Sequence, residues 1–334
     1  MEFCYKISYS KLAKGFRGKL QSNVALQRDR CSAYLAAKLQ DFNRQSFSVI
    51  DSEAKVMGLK EELEGKIPES KLAFLRTGFD IIGDVAVIEI PEELESKKLI
   101  IAKALAKVQP HIKTVCRKLG EREGTFRLRE LEILVGKDTR TEHRECGCAY
   151  RLDLARVYFS PREATERQRI ALQVRPKETV MVMFAGVGPY AIMIAKKQKP
   201  ARVYAIEINP DAFKYMKENI RINKVSDKVE PVLGDVKKVA RNFYGKCDRV
   251  VMPLPKEGYK FLPYAFRCLK TKGGIIHFYH YAHEDDLYSE AEGLVKKAAK
   301  KAGRSIKILA RRKVLPYGPR VFKVCLDIKA GKSK

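Results

Sequence analysis

The chain has 334 residues, 45% hydrophobic and 32% charged, a length and balance that call for two or three packed domains. No apolar run reaches the roughly 18 to 20 residues of a membrane span, and the opening MEFCYKISYSKLAKGF has no signal-like apolar core. Eight scattered cysteines read as reduced thiols, not a disulfide framework, so a soluble cytoplasmic protein is expected.

Sixty-seven Lys and Arg against 40 Asp and Glu give a net charge of +27, which selects a polyanion, above all nucleic acid, as partner. The excess is concentrated at the two ends. Residues 1–40 carry eight basic residues against Glu2 and Asp29, and fourteen follow from Lys296 onward against Asp327 alone. Two basic flanks suit a grip on a phosphate backbone at separated points. No basic segment carries the broad apolar face that a membrane surface would take.

In chain order, Leu35–Leu39 is compatible with a helix and Phe47–Ile50 with a strand. Lys60–Lys71 then reads as a charged helix ended by Pro68, which sets a boundary near residue 70. FDIIGDVAVIEI (Phe79–Ile90) reads as two strands about Gly83-Asp84, residues 92–118 as helical by period, and Arg127–Ile133 and Ala149–Phe159 as strands. A helix over Glu163–Leu172 leads into TVMVMF, and from there strands and helices alternate through GGIIHFY. Such alternation means a parallel sheet covered on both faces. SIKILAR and RVFKVCLDI, joined by LPYGP, close it as an antiparallel hairpin. The expected fold is α/β: a class I methyltransferase-like, Rossmann-like domain (161–334) with a mostly parallel seven-stranded sheet. Two small α+β domains (1–70 and 71–160) precede it.

The chemistry gathers around MFAGVGPY. Gly186 and Gly188 stand between a strand and a helix, where a side-chain-free turn admits a ligand and the helix start offers free N–H groups. Pro189 suits the first helical position. Glu207, nineteen residues after Gly188, ends the next strand, where a carboxylate accepts from a ribose diol. Asn209 caps the following helix, and Asp235 ends the third strand within reach of an adenine amino group. Gly186, Gly188 and Ala191 also satisfy G-x-G-x-x-A, the dinucleotide fingerprint. The terminal hairpin, Asp235 and the positive charge favour a methyl donor, S-adenosylmethionine, over a hydride carrier. Cys146 and Cys148 near His143 lack a second pair, so no metal site is expected there, and His277 and His280 read as packed strand residues.

ARVYFSPREATERQRI (Ala155–Ile170), MFAGVGPY, AIEINP, VVMPLPK and FRLRELE (Phe126–Glu132) together resemble the archaeal and eukaryotic tRNA guanine-37 N1-methyltransferases, over about residues 75 to 330. The resemblance implies tRNA as partner, a monomer, and an N-terminal domain that contacts the outer corner of the tRNA. It implies Glu166 as the base removing the guanine N1 proton and Arg127 as the cation facing O6. From the residues alone, Glu163 is an equally good carboxylate, and Arg127 and Arg129 share one face of the expected strand. The resemblance further places Tyr158, Ser160, Arg162, Phe184, Gly186, Val187, Gly188, Glu207, Ile208, Asp235 and Val236 around the cofactor, with Pro253 and Leu254 closing the cleft. Arg311, Arg312 and Arg320 are expected phosphate contacts.

Two positions depart from the family pattern. Val182 stands where many members carry Asp, and Pro253 where they carry an Asn associated with holding the target base. Two readings of Pro253 are open: the neighbouring backbone holds the base instead, or the base pocket is roomier, and some archaeal relatives also methylate a tricyclic wyosine precursor. The alternatives are a methyltransferase acting on another RNA and a non-catalytic RNA-binding protein of the same fold.

Overall fold

Residues 58–120, 124 and 126–333 are described by a computed structural model; the segments expected at Leu35–Leu39 and Phe47–Ile50 lie outside them. Pro68 divides the charged stretch into two short helices, α1 (Leu59–Leu63) and α2 (Glu69–Leu72). Strands β1 (Phe79–Ile82) and β2 (Val85–Ile88) pair about Gly83 as expected. The helix expected over 92–118 is shorter: a 3-10 turn (Glu92–Lys97) leads into α3 (Lys98–Val108), and Thr114–Lys118 is strand β3. Pro110 bars continuation of the helix. Beyond it Thr114, Val115 and Cys116 are buried, with β3 between β2 and strand β4 (Leu131–Val135). The expected strand at Arg127–Ile133 thus begins only at Leu131, and Arg127 sits in a turn with φ 54°. The resulting sheet runs β1-β2-β3-β4. Its core joins Leu59, Leu63, Ile67 and Leu72 to Ile88, Ile101, Leu105 and Val115, so residues on both sides of position 70 share it.

A two-stranded ribbon follows, β5 (Arg140–Glu145) and β6 (Cys148–Asp153). The strand expected over Ala149–Phe159 stops at Asp153 because that carboxylate accepts from the Ala155 N–H at 3.0 Å and from the Thr139 hydroxyl, which turns the chain.

The alternating segment is legible almost element by element. After a 3-10 turn (Pro161–Glu163) come α4 (Ala164–Gln173), β7 (Thr179–Met183), α5 (Pro189–Lys197), β8 (Arg202–Glu207), α6 (Pro210–Ile222), β9 (Val229–Leu233), α7 (Val236–Val239) and β10 (Arg249–Met252). Then α8 (Leu262–Cys268), β11 (Gly274–His283), a helix not anticipated from sequence, α9 (Ser289–Lys301), and the hairpin β12 (Arg304–Gly318) and β13 (Val321–Ser333). The sheet order is β12-β13-β11-β10-β7-β8-β9, parallel from β11 to β9, with β13 antiparallel to both neighbours. This is the class I methyltransferase-like arrangement expected. β10 is buried throughout and β7 at all but its first residue, as strands covered on both faces must be. Two apolar clusters fill the faces, one around Val182, Ile192 and Met216, the other around Met181, Phe266 and Phe278.

Two asparagines fasten the ribbon to this sheet. From α6, Asn219 accepts the Arg151 N–H at 2.7 Å and donates to the Arg151 and Val187 carbonyls at 3.0 Å. One turn on, Asn223 accepts the Ala149 N–H at 3.0 Å and donates to the Ala149 carbonyl at 2.6 Å. Two carboxamides at i, i+4 thereby act as a neighbouring strand for alternate residues of β6.

Candidate active site

The strand order reverses between β7 and β10, and in open α/β sheets the carboxyl ends of the strands at such a point frame the ligand crevice. A cleft of about 700 Å³ opens there. Its floor is the turn from β7 to α5. Phe184 (φ 58°), Gly186 (φ 56°) and Gly188 (φ 92°) are all left-handed. Gly188 is sterically obligatory, since a Cβ there would meet Met216 Cγ at 3.0 Å and Ile192 Cδ1 at 3.1 Å in a backbone shape that side chains avoid.

Glu207, at the end of β8, is 8% exposed and tightly held. It accepts the backbone N–H groups of Gly186 at 2.6 Å, Ile208 at 2.9 Å and Asn209 at 2.7 Å. Burial still pushes its carboxyl above the usual range, against those hydrogen bonds. With three of about four acceptor positions committed, it has less room for a diol than its place in the sequence suggests. Asp235 caps α7, accepting the Lys237 N–H at 2.9 Å. In the same cleft, Phe184 meets Phe261 edge-to-face at 4.8 Å, and Lys237 lies 5.5 Å from the Phe261 ring centre. Phe261 was not foreseen, because nothing in FLPYAF marks it as facing a cleft and not the core.

Of the residues singled out from sequence, the cleft collects Arg127, Tyr158, Ser160, Phe184, Gly186, Glu207, Ile208, Asp235, Val236, Pro253 and Leu254. It does not collect Val187 or Gly188, which lie beneath it, or Arg162, which pairs with Asp80 at 2.5 Å. Arg311 pairs with Glu292 at 2.5 Å, and Arg320 reaches Asp285 at 2.9 Å beside Glu284.

Glu166 is also absent from the lining. Its carboxylate, 3% exposed, is gripped by Arg169 at 2.7 and 2.8 Å, accepts the Tyr279 hydroxyl at 2.6 Å and lies 3.4 Å from Arg312. Beyond Arg169 the network continues to Asp327 at 2.6 Å, His277 at 2.7 Å and Arg249 at 2.7 Å. Burial lowers the basicity of His277, and because Arg249 can only donate, Nε2 accepts from it and Nδ1–H is left to donate to Asp327. Of the two candidate bases, Glu163 is the one that lines the cleft, paired with the buried Lys323 at 2.9 Å and with the Tyr158 hydroxyl at 3.3 Å. Burial works to raise its pKa, but Lys323 and Arg167 outweigh it and the carboxyl is held below the usual range. The Glu163–Lys323 pair joins residues 160 apart in sequence, and no local pattern announces it.

The family model for the TRM5/TYW2 methyltransferase domain matches residues 141–309, and that for the TYW2 N-terminal domain matches residues 59–139. The chain is 38% identical over 316 residues to tRNA (guanine(37)-N(1))-methyltransferase Trm5b of Pyrococcus abyssi, spanning 93% of this chain and 92% of that protein. It is 36% identical over 277 residues to tRNA(Phe) (4-demethylwyosine(37)-C(7)) aminocarboxypropyltransferase of Pyrococcus horikoshii, spanning 82% and 97%. Among solved structures, aTrm5 in complex with tRNALeu superposes with a TM-score of 0.73 at 35% identity, covering 84% of this chain and 82% of that one. TYW2 of P. horikoshii in complex with MeSAdo superposes with a TM-score of 0.71 at 34% identity, covering 82% and 98%. A glycine turn at the sheet's switch point and an alignment over nearly the full length agree: the chain belongs to the TRM5/TYW2 methyltransferase family.

Proposed function

We propose that the chain transfers the methyl group of S-adenosylmethionine to N1 of guanosine 37 in tRNA. The supporting observation is that one cleft unites the glycine turn, Glu207 and Asp235 with Arg127 and a buried ionised carboxylate. The residues fit the cofactor. Glu207 would accept a ribose hydroxyl, Asp235 the adenine amino group, and Phe184 with Phe261 would flank the adenine. When bound, the cofactor supplies an electrophilic methyl group on a sulfonium centre.

The protein's own task is then to handle one proton and one developing charge. Guanine N1 is protonated at neutral pH, and as its proton leaves, negative charge grows on O6. Arg127, in the cleft and near Tyr281, is the cation suited to stabilise that charge. By family resemblance the proton passes to Glu166, which must loosen its contacts with Arg169 and Arg312 to receive it. A second assignment, favoured by the cleft lining, gives the proton to Glu163. We take the chain to act as a cytoplasmic monomer without a metal, residues 1–70 gripping the tRNA and residues 71–160 contributing to both RNA binding and the site.

Labelled S-adenosylmethionine with an unmodified tRNA transcript tests this. Transfer is expected with guanosine 37 and lost when that nucleotide is adenosine; transfer that survives the replacement sinks the target assignment. The mass of the product nucleoside separates a methyl from an aminocarboxypropyl group. A tricyclic wyosine precursor is a second substrate worth the same assay, because Pro253 offers no side-chain donor to restrict the base.

A further inference from the structure

The lip of the cleft carries an aromatic side chain that neither the cofactor assignment nor the proton transfer uses. Tyr317, near the end of β12 and two residues before the Pro319-Arg320 turn, lines the cleft with Phe126 and Arg127 and is 53% exposed. Its ring packs at a tilt against Tyr281 of β11, centroids 4.0 Å apart and planes 31° apart. Tyr281 also lies within the electrostatic reach of Arg127. One side of the Tyr317 ring is therefore backed by protein, while the residue as a whole keeps about half of its surface open.

We propose that Tyr317 is a base-stacking platform, receiving a nucleobase of the tRNA anticodon loop on its free face; this rests on the tRNA reading above. Recognition of single-stranded RNA depends on splayed bases stacking on aromatic rings or guanidinium planes, and the cleft mouth holds both. The platform is pre-ordered. Pro316 and Pro319 flank Tyr317 and Gly318 at the end of β12, where Gly318 pairs with Val321, and the contact with Tyr281 holds the ring, so little conformational freedom is lost when a base arrives. The surroundings suit an anionic strand: Lys237 and Lys256 line the same cleft, and Lys313 stands 3.4 Å over the Phe322 ring on the same hairpin. Tyr281 backs the platform, and Arg127 lines the same cleft, so a stacked base would lie near the cation assigned to O6. The adenine of the cofactor is a poor rival occupant, since Phe184 and Phe261 already offer it a wall beside Asp235.

The test compares Tyr317→Ala and Tyr317→Phe in the full chain. It measures equilibrium binding of tRNA, calorimetric binding of S-adenosylmethionine, and fluorescence of 2-aminopurine placed at positions 36, 37 and 38 of the transcript in turn. Loss of one stacking contact is expected to weaken tRNA binding about 10- to 100-fold in Tyr317→Ala. Tyr317→Phe should bind as the native chain does, and cofactor affinity should stay unchanged in both. One of the three probes should be quenched on binding to the native chain and to Tyr317→Phe, and not to Tyr317→Ala. Native tRNA affinity and native quenching in Tyr317→Ala overturn the platform alone. A Tyr317→Phe defect as large as that of Tyr317→Ala overturns it too, by pointing to the hydroxyl. A native chain that binds no tRNA overturns the functional reading, and the platform with it.

Discussion

Two carboxylates three residues apart occupy opposite circumstances. Glu163 looks into the cleft, ionised by a buried lysine, whereas Glu166 is wrapped by two arginines and a tyrosine. Replacing each by Gln therefore separates their roles. If Glu166 is the base, Glu166→Gln should lower kcat by about 10²- to 10⁴-fold with tRNA affinity intact, and Glu163→Gln should act mainly through local packing. The reverse ranking in single-turnover rates would hand the proton to Glu163. Asp327 supplies a pH test. Burial opposes its ionisation, but hydrogen bonds from His277 and Arg169 hold the carboxyl far below its ordinary value of 3.8. A depressed carboxyl stabilises the fold fully above that ordinary value and progressively less as pH falls below it. Asp327→Asn should thus cost about 3 to 5 kcal/mol in urea denaturation at neutral pH, and the gap from the native chain should narrow below pH 3.8. A gap that stays constant on acidification would show that the ion pair contributes nothing.

At the scale of elements, legibility followed the range over which the signal acts. The β7–turn–α5 unit was readable because an apolar run, two glycines and a proline sit side by side in sequence. β3 was misread because TVC is apolar in either a helix or a strand, and only its place between β2 and β4 decides. Helix α9 was missed because it contains Gly293, a weak helix former, and its buried face is Ala291, Val295, Ala298 and Ala299, too small to give a clear period. The asparagine clamp is invisible locally, since its partners lie 68 and 74 residues away. It is nonetheless strong. Asn219→Leu keeps the volume but leaves the Arg151 N–H and two carbonyls without their partner, and should cost about 2 to 5 kcal/mol. A thermal midpoint unchanged from the native chain would argue that water replaces the carboxamide without penalty.

For the whole molecule, the +27 charge is the property that sequence conveyed directly, but the structure redistributes its meaning. Arg311 and Arg320, expected as phosphate contacts, each sit against carboxylates, so their free charge is partly neutralised before any RNA arrives. If they nevertheless contact phosphates, Arg311→Glu and Arg320→Glu should each weaken tRNA binding. Each should also lower the slope of log Kd against log salt by somewhat under one ion, roughly 0.7 to 0.9. An unchanged slope would move the phosphate track to other cations, with Lys237 and Lys256 at the cleft the first to examine.

The ribbon of β5 and β6 has a further liability that α6 removes. A two-stranded sheet exposes rows of unpaired amides along both borders, and such borders invite strands from other molecules. Along β6 the outward amides and carbonyls of Ala149 and Arg151 are already spent on Asn219 and Asn223. The same two side chains that seat the ribbon therefore shield it from edge-to-edge self-association, so their loss should appear as a tendency of the folded protein to aggregate as well as a lower melting point.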